Sequence, residues 1–77
     1  MSDRLIAVFA DELGVEENSL NDSSSPDSVE EWDSLAAMRL VFAPETEFKV
    51  RLTASEIVSM KSIQIVRDVL RSKGAEV

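Results

Sequence analysis

Residues 31–38 read EWDSLAAM, and they join an acidic stretch of the chain to an apolar one. Glu16 to Asp33 holds seven acidic side chains and no basic one, whereas an apolar run begins at Leu35. Asp33 is a good helix cap, so the junction predicts a helix that begins at Ser34. The chain has no cysteine, histidine or tyrosine, hence no obvious partner could make Ser34 a nucleophile of its own. Taken alone, a serine after aspartate at a helix start is ordinary capping sequence; the alternative is a serine that another protein modifies.

The composition indicates one small globular domain. Because 77 residues leave no room for a second core, we expect a single domain over residues 1–77. A hydrophobic content of 44%, with only two glycines and two prolines, is typical of a helix-rich chain. We expect a cytoplasmic protein, since there is no cysteine, no signal-peptide pattern and no run of about 20 apolar residues.

The charge is unevenly distributed. Residues 1–33 carry ten acidic groups against Arg4 alone, giving −9, while residues 34–77 carry five acidic and seven basic groups, giving +2, for a net charge of −7. Such a chain should repel nucleic acid and anionic membranes. Basic protein surfaces are the expected partners.

A first helix is predicted after Ser2, which would be its N-cap, with Asp3 in the first turn. It should end at Gly14 in the left-handed conformation. Its apolar positions recur at helical spacing: Leu5, Val8, Phe9 and Leu13.

Residues 16–33 then form a long loop, and loops of this length are usually functional. We expect Leu20 and Val29 to anchor it in the core, and Trp32 to pack against the core edge and hold Ser34 in place. The acidic side chains do not match a calcium loop starting at Asp22, because Asp27 stands where glycine is required. A solvated acidic loop is the favoured reading, and no metal is expected.

The second predicted helix covers residues 34–48 and has two apolar stripes. One stripe suits the core: Ala37, Leu40, Val41, Pro44 and Phe48. The other consists of Leu35, Met38 and Phe42, and it starts beside Ser34. The pattern alone favours extra core for this second stripe, and docking of partners is the alternative.

Two further helices follow. A capping box from Thr53 to Glu56 predicts a short helix through about Met60, which offers Ile57, Val58 and Met60 to the core. Ser62 should cap the last helix, with a stripe at Ile63, Val66 and Leu70, and Gly74 should end it. The expected fold class is all-α, a four-helix bundle with a short third helix and a long first loop.

The junction at Asp33, Ser34 and Leu35 resembles the attachment site of acyl carrier proteins, and the likeness extends over almost the whole chain in length, helix order and loop placement. The resemblance implies a covalent 4′-phosphopantetheine on Ser34, with Asp33 and Leu35 as the frame that a phosphopantetheinyl transferase recognises. It also implies that Met38, Arg39 and Phe42 dock acyl-loading and acyl-processing enzymes. The arm would supply the thiol that this chain lacks, and would carry acyl, aminoacyl or polyketide groups as thioesters. The domain itself would catalyse nothing.

The chain also departs from that family. Pro44 stands where an aliphatic residue is usual, and because proline removes a helical hydrogen bond we expect a kink or early fraying there. Ala36, Arg39 and Thr46 stand where the resemblance leads us to expect carboxylates. An enzyme adapted to an acidic helix would therefore find a weaker electrostatic match.

An unmodified acidic helical adaptor that binds a basic partner through the first loop is the alternative function. An enzyme is a more distant alternative, because no convergent cluster of catalytic side chains follows from the spacing. We expect a monomer, since arm access and transient docking need an uncovered surface.

Overall fold

The computed structural model describes residues 3–77, and these form four α-helices and one 3-10 turn without a strand. The α-helices are α1 (Arg4–Leu13), α2 (Ser34–Phe48), α3 (Ala54–Ser59) and α4 (Ile63–Ser72), and the 3-10 turn covers Glu17–Ser19. The predicted all-α bundle, with a long first loop and a short third helix, is confirmed.

Helix α1 begins one residue later than predicted. Asp3 is its cap, and one carboxylate oxygen accepts hydrogen bonds from the amides of Leu5 at 3.1 Å and Ile6 at 3.2 Å. The predicted cap Ser2 lies outside the described residues, and Asp3 precedes the first turn instead of belonging to it. Gly14 ends the helix with φ 70°, the left-handed conformation that was predicted.

One apolar core joins α1, α2, α4 and the loop. Helices α1 and α2 run antiparallel, since Arg4 at the start of α1 forms an ion pair of 2.8 Å with Glu47 near the end of α2 and lies 4.8 Å from the ring centroid of Phe48. The side chains that form this core are Leu5, Ile6, Phe9, Ala10, Leu13, Leu20, Trp32, Ala36, Leu40, Ile63, Val66 and Leu70.

The long loop is bound to α4 as well as to the core. The amides of Ile63 and Gln64 donate to the carbonyls of Ser24 at 3.0 Å and Asp22 at 2.9 Å, so the loop satisfies donors at the start of α4. Leu20 is buried and Val29 packs against the core, as predicted for the two anchors. The loop is therefore joined both to α4 and to the core.

Two predictions about α3 are wrong. Ile57 and Val58 are exposed, Val58 by 73%, whereas Met60 packs against the core. Six residues make less than two turns, so only one side of the helix can face the core. The capping box of α3 is present, and Glu56 also forms an ion pair of 2.8 Å with Lys73 beyond the end of α4.

The predicted early fraying at Pro44 is also wrong, because α2 continues through Pro44 to Phe48. Pro44 is fully buried, and the next residue, Glu45, accepts a hydrogen bond of 2.8 Å from the amide of Leu52. The packing of Pro44 and this hydrogen bond stabilise the last turn of α2, although proline has no amide N–H to donate to the preceding turn.

Candidate functional site

Ser34 is the first residue of α2, and its side chain is exposed to solvent. Its hydroxyl takes part in none of the hydrogen bonds among residues 3–77, whereas the hydroxyls of Ser19, Ser59 and Ser72 donate to backbone carbonyls. An outside catalyst can therefore approach the Ser34 oxygen without breaking an internal bond.

The residue before Ser34 sets the start of the helix. Asp33 has an extended backbone, and its Oδ1 accepts a hydrogen bond of 2.9 Å from the amide of Ala36. The predicted capping by Asp33 is confirmed. The capping carboxylate is itself exposed, so it lies at the surface beside the Ser34 hydroxyl.

Trp32 holds this junction to the core. Its ring is 4% exposed and meets Phe9 of α1 edge to face, with centroids 5.4 Å apart and planes at 81°. Its amide donates to the carbonyl of Val29 at 3.0 Å. The predicted packing of Trp32 is confirmed, and it places a buried side chain two residues before Ser34.

The start of α2 favours an anion. The amides of Ser34 and Leu35 have no intrahelical acceptor at this end, and the helix dipole places partial positive charge there. A phosphodiester on Ser34 would lie close to these free amides and to the positive end of the helix dipole. Asp33 opposes them through its own negative charge, although its carboxylate is engaged by Ala36.

The second apolar stripe of α2 lies at the surface. Leu35, Met38 and Phe42 are exposed by 71%, 57% and 58%, and Arg39 beside them is also exposed. The reading of this stripe as extra core is therefore wrong, and the residues predicted to dock partners are accessible. These side chains continue directly from Ser34 along about two turns of the helix.

A cleft of about 420 Å³ lies between α2 and α3. Its lining is mostly apolar and includes Trp32, Met38, Val41, Phe42, Ile57 and Met60. Ile57, which was predicted to lie in the core, lines this cleft instead. The cleft shares Met38 and Phe42 with the exposed stripe, so an apolar surface and an apolar cavity adjoin the serine end of α2.

Sequence reasoning missed two buried polar residues, one in α4 and one in the long loop. Arg67 of α4 is 6% exposed, and Ser24 of the loop is 5% exposed. The oxygen of Ser24 accepts a hydrogen bond of 3.0 Å from the amide of Asn21. A signal existed for Arg67, because it follows Ile63 by one helical turn and so lies beside the apolar stripe of α4.

Comparison with protein families gives a direct match. The model for the phosphopantetheine attachment site matches residues 3–71, which is most of the chain. The chain belongs to the phosphopantetheine-binding family of carrier domains. No curated protein matches it.

A carrier domain of this family holds 4′-phosphopantetheine covalently on a serine. The described residues fit that group, since an exposed hydroxyl stands at a helix start and an apolar cleft is lined by Met38, one turn further along the same helix. Carrier domains of this family interact with phosphopantetheinyl transferases and with biosynthetic enzymes. Within residues 3–77, no helix is both long and apolar enough to cross a bilayer.

Proposed function

We propose that Ser34 is the serine that carries the 4′-phosphopantetheine, and that the protein carries acyl, aminoacyl or polyketide intermediates for separate enzymes. The single observation behind this assignment is the free, exposed hydroxyl of Ser34 at the first position of a 15-residue helix. When bound, the group supplies a thiol at the end of a flexible arm, on which cargo is held as a thioester. The chain has no thiol of its own.

The residues around Ser34 have distinct tasks in this proposal. The Ser34 oxygen forms the new bond to phosphorus as coenzyme A loses adenosine 3′,5′-bisphosphate, and its proton passes to a base of the transferase. Asp33 fixes the helix start, and together with Leu35 it frames the serine for the transferase. The amides of the first turn then stabilise the phosphodiester charge.

Met38, Arg39 and Phe42 form the docking surface for the transferase and for the loading and processing enzymes in this proposal. They are supported by their exposure and by their position on the same helix as Ser34. The carrier itself catalyses no step, acts in the cytoplasm as one domain over residues 1–77, and works as a monomer.

The test is a mass measurement. Incubation with coenzyme A, Mg²⁺ and a broad-specificity phosphopantetheinyl transferase should add the mass of one phosphopantetheine to the parent chain. Ser34→Ala should abolish the addition, whereas Ser55→Ala, at an exposed serine in the first turn of α3, should keep it. An unchanged mass of the parent chain would refute the carrier assignment and favour the acidic adaptor, whose binding should be salt-sensitive and indifferent to Ser34→Ala.

A further inference from the structure

Arg39 is the one basic side chain of α2, and it is exposed. We use the term α2 face for the side chains that share its side of the helix: Leu35, Met38, Arg39, Phe42 and Thr46. The two carboxylates of α2 border this face, because Glu45 lines a cleft with Met38 and Phe42, and Glu47 lines a groove with Arg39 and Thr46, but each is bonded to another residue. Glu45 accepts from the amide of Leu52, and Glu47 pairs with Arg4 at 2.8 Å.

The guanidinium of Arg39 remains available to a partner. The ion pairs among residues 3–77 involve Arg4, Arg67 and Lys73, and no carboxylate in that part of the chain lies within 4.0 Å of Arg39. Arg39 lines a groove with three carboxylates, yet none of them pairs with it: Asp11, Glu12 and Glu47. Arg39 is thus an unneutralised cation among three largely exposed apolar side chains.

Negative charge surrounds this cation at a greater distance. Glu30, Glu31 and Asp33 are exposed just before α2, and Asp11 and Glu12 lie across the groove. The net charge of −7 attracts a basic partner from afar. At contact, however, a basic group placed against Arg39 would suffer like-charge repulsion in a desolvated apolar surface.

We infer that the α2 face docks a protein whose surface presents an apolar patch with a carboxylate opposite Arg39, inside a basic border. This inference rests on the carrier function proposed above and names the chemistry of its partner. The carboxylate satisfies the planar guanidinium, the apolar patch covers Leu35, Met38 and Phe42, and the basic border meets the acidic residues around the face.

Arg39 then acts as a selector among basic partners. The acidic residues 1–33 attract every basic partner. Only a partner that carries the carboxylate can remove water from Arg39 without leaving its charge unpaired. Partners with uniformly basic docking surfaces are excluded at contact.

Two synthetic helical peptides test this inference. They share an apolar stripe with lysines along its edges and differ at one central position, which is Glu in one and Lys in the other. Binding is measured by ¹H–¹⁵N chemical-shift titration at about 150 mM salt, where charges more than roughly 8 Å apart are screened. The Glu peptide should bind the parent chain at least about fivefold more tightly than the Lys peptide, with shifts at Leu35, Met38 and Phe42.

Arg39→Glu should invert that preference. The matched control is Arg51→Glu, at an exposed arginine outside the α2 face, because either substitution changes the net charge from −7 by the same two units. Arg51→Glu should keep the preference for the Glu peptide. Circular dichroism verifies that both variants are folded.

Several results would overturn the inference: tighter binding of the Lys peptide to the parent chain, an unchanged preference in Arg39→Glu, shifts confined to other surfaces, or no binding of either peptide. Concentration-dependent shifts at the α2 face without peptide would show that a second copy of the chain covers it. Loading of Ser34 is scored separately by mass. If Ser34 takes up phosphopantetheine but the chain binds the Glu and Lys peptides equally, this inference alone is wrong. If Ser34 takes up no phosphopantetheine, the proposed carrier function is wrong.

Discussion

Arg67 of α4 donates to both carboxylate oxygens of Asp3, the residue that caps α1, with Nη2 to Oδ2 at 2.6 Å and Nη1 to Oδ1 at 3.3 Å. The same guanidinium donates to Oδ1 of Asp22 in the loop, at 2.8 Å and 3.1 Å. One buried arginine therefore binds the start of α1 and the first part of the loop to α4. The other end of that loop is held by Trp32, two residues before Ser34.

Arg67→Met should destabilise the fold by roughly 2 kcal/mol. Removing one partner of a fully buried ion pair costs about 3–5 kcal/mol, and the loss is smaller here because both carboxylates are partly exposed. Urea unfolding followed by the fluorescence of Trp32 measures the change. Arg51→Met removes an exposed arginine and should shift the free energy of unfolding by less than about 0.5 kcal/mol. Equal effects of the two substitutions would contradict a role for the Arg67 contacts.

The stability should depend on pH through Asp3. Burial raises the pKa of Asp3. Hydrogen bonds from Arg67 and from the amides of Ile6 and Leu5 lower it, and so does the positive charge of the guanidinium. The lowering effects are larger, so the pKa lies below its ordinary value of 3.8. A carboxylate with a lowered pKa in the folded state stabilises fully above its unfolded pKa. That contribution is lost as the pH falls through the folded value.

Asp3→Asn isolates this contribution, because asparagine caps a helix about as well as aspartate but does not titrate. The parent chain should be the more stable one at pH 7, and the difference should shrink as the pH is lowered from about 5 to 2. Urea midpoints across that range measure it. A difference that stays constant with pH would show that the Asp3 charge contributes nothing to stability.

Pro44→Ala should stabilise the protein by about 1–2 kcal/mol. Proline within a helix is about 3 kcal/mol less favourable than alanine, and the gain is reduced by lost packing of this fully buried ring and by a more flexible unfolded chain. For a domain of this size, 1 kcal/mol corresponds to about 4–8 °C in Tm. Pro26→Ala, in the exposed part of the loop, should give no increase. A lower Tm for Pro44→Ala would mean that the ring contributes more by packing than it removes in hydrogen bonding.

The local signals in the sequence were sufficient to predict where these helices begin. Asp33, Thr53 and Ser62 each cap the helix that was predicted after them, because a capping side chain bonds to amides only two or three residues away. The exposure of Ser34 also follows from its place at the first position of a helix, where the chain leaves a surface loop.

Contacts between residues far apart in the sequence could not be predicted from local signals. Asp3 and Arg67 are 64 residues apart, and their pairing depends on how α1 and α4 pack. The predictions that the second stripe of α2 and the side chains of α3 lie in the core were wrong for a related reason. A helical period places Phe42 and Leu35 on one side of α2, and Val58 on one side of α3, but it does not specify which side meets the other helices.

The aromatic contact between Trp32 and Phe9 should control how well Ser34 is presented. Trp32→Phe shortens the side chain that anchors the junction, so we expect a loss of about 1–2 kcal/mol in stability and a several-fold lower rate of phosphopantetheine transfer to the folded chain. Circular dichroism measures the stability, and mass spectrometry over time measures the transfer. Leu70→Val removes a comparable amount of packing from the core side of α4, with a cost of about 1 kcal/mol, and should leave the transfer rate near that of the parent chain. If both variants are loaded equally fast, Trp32 stabilises the core without positioning the serine.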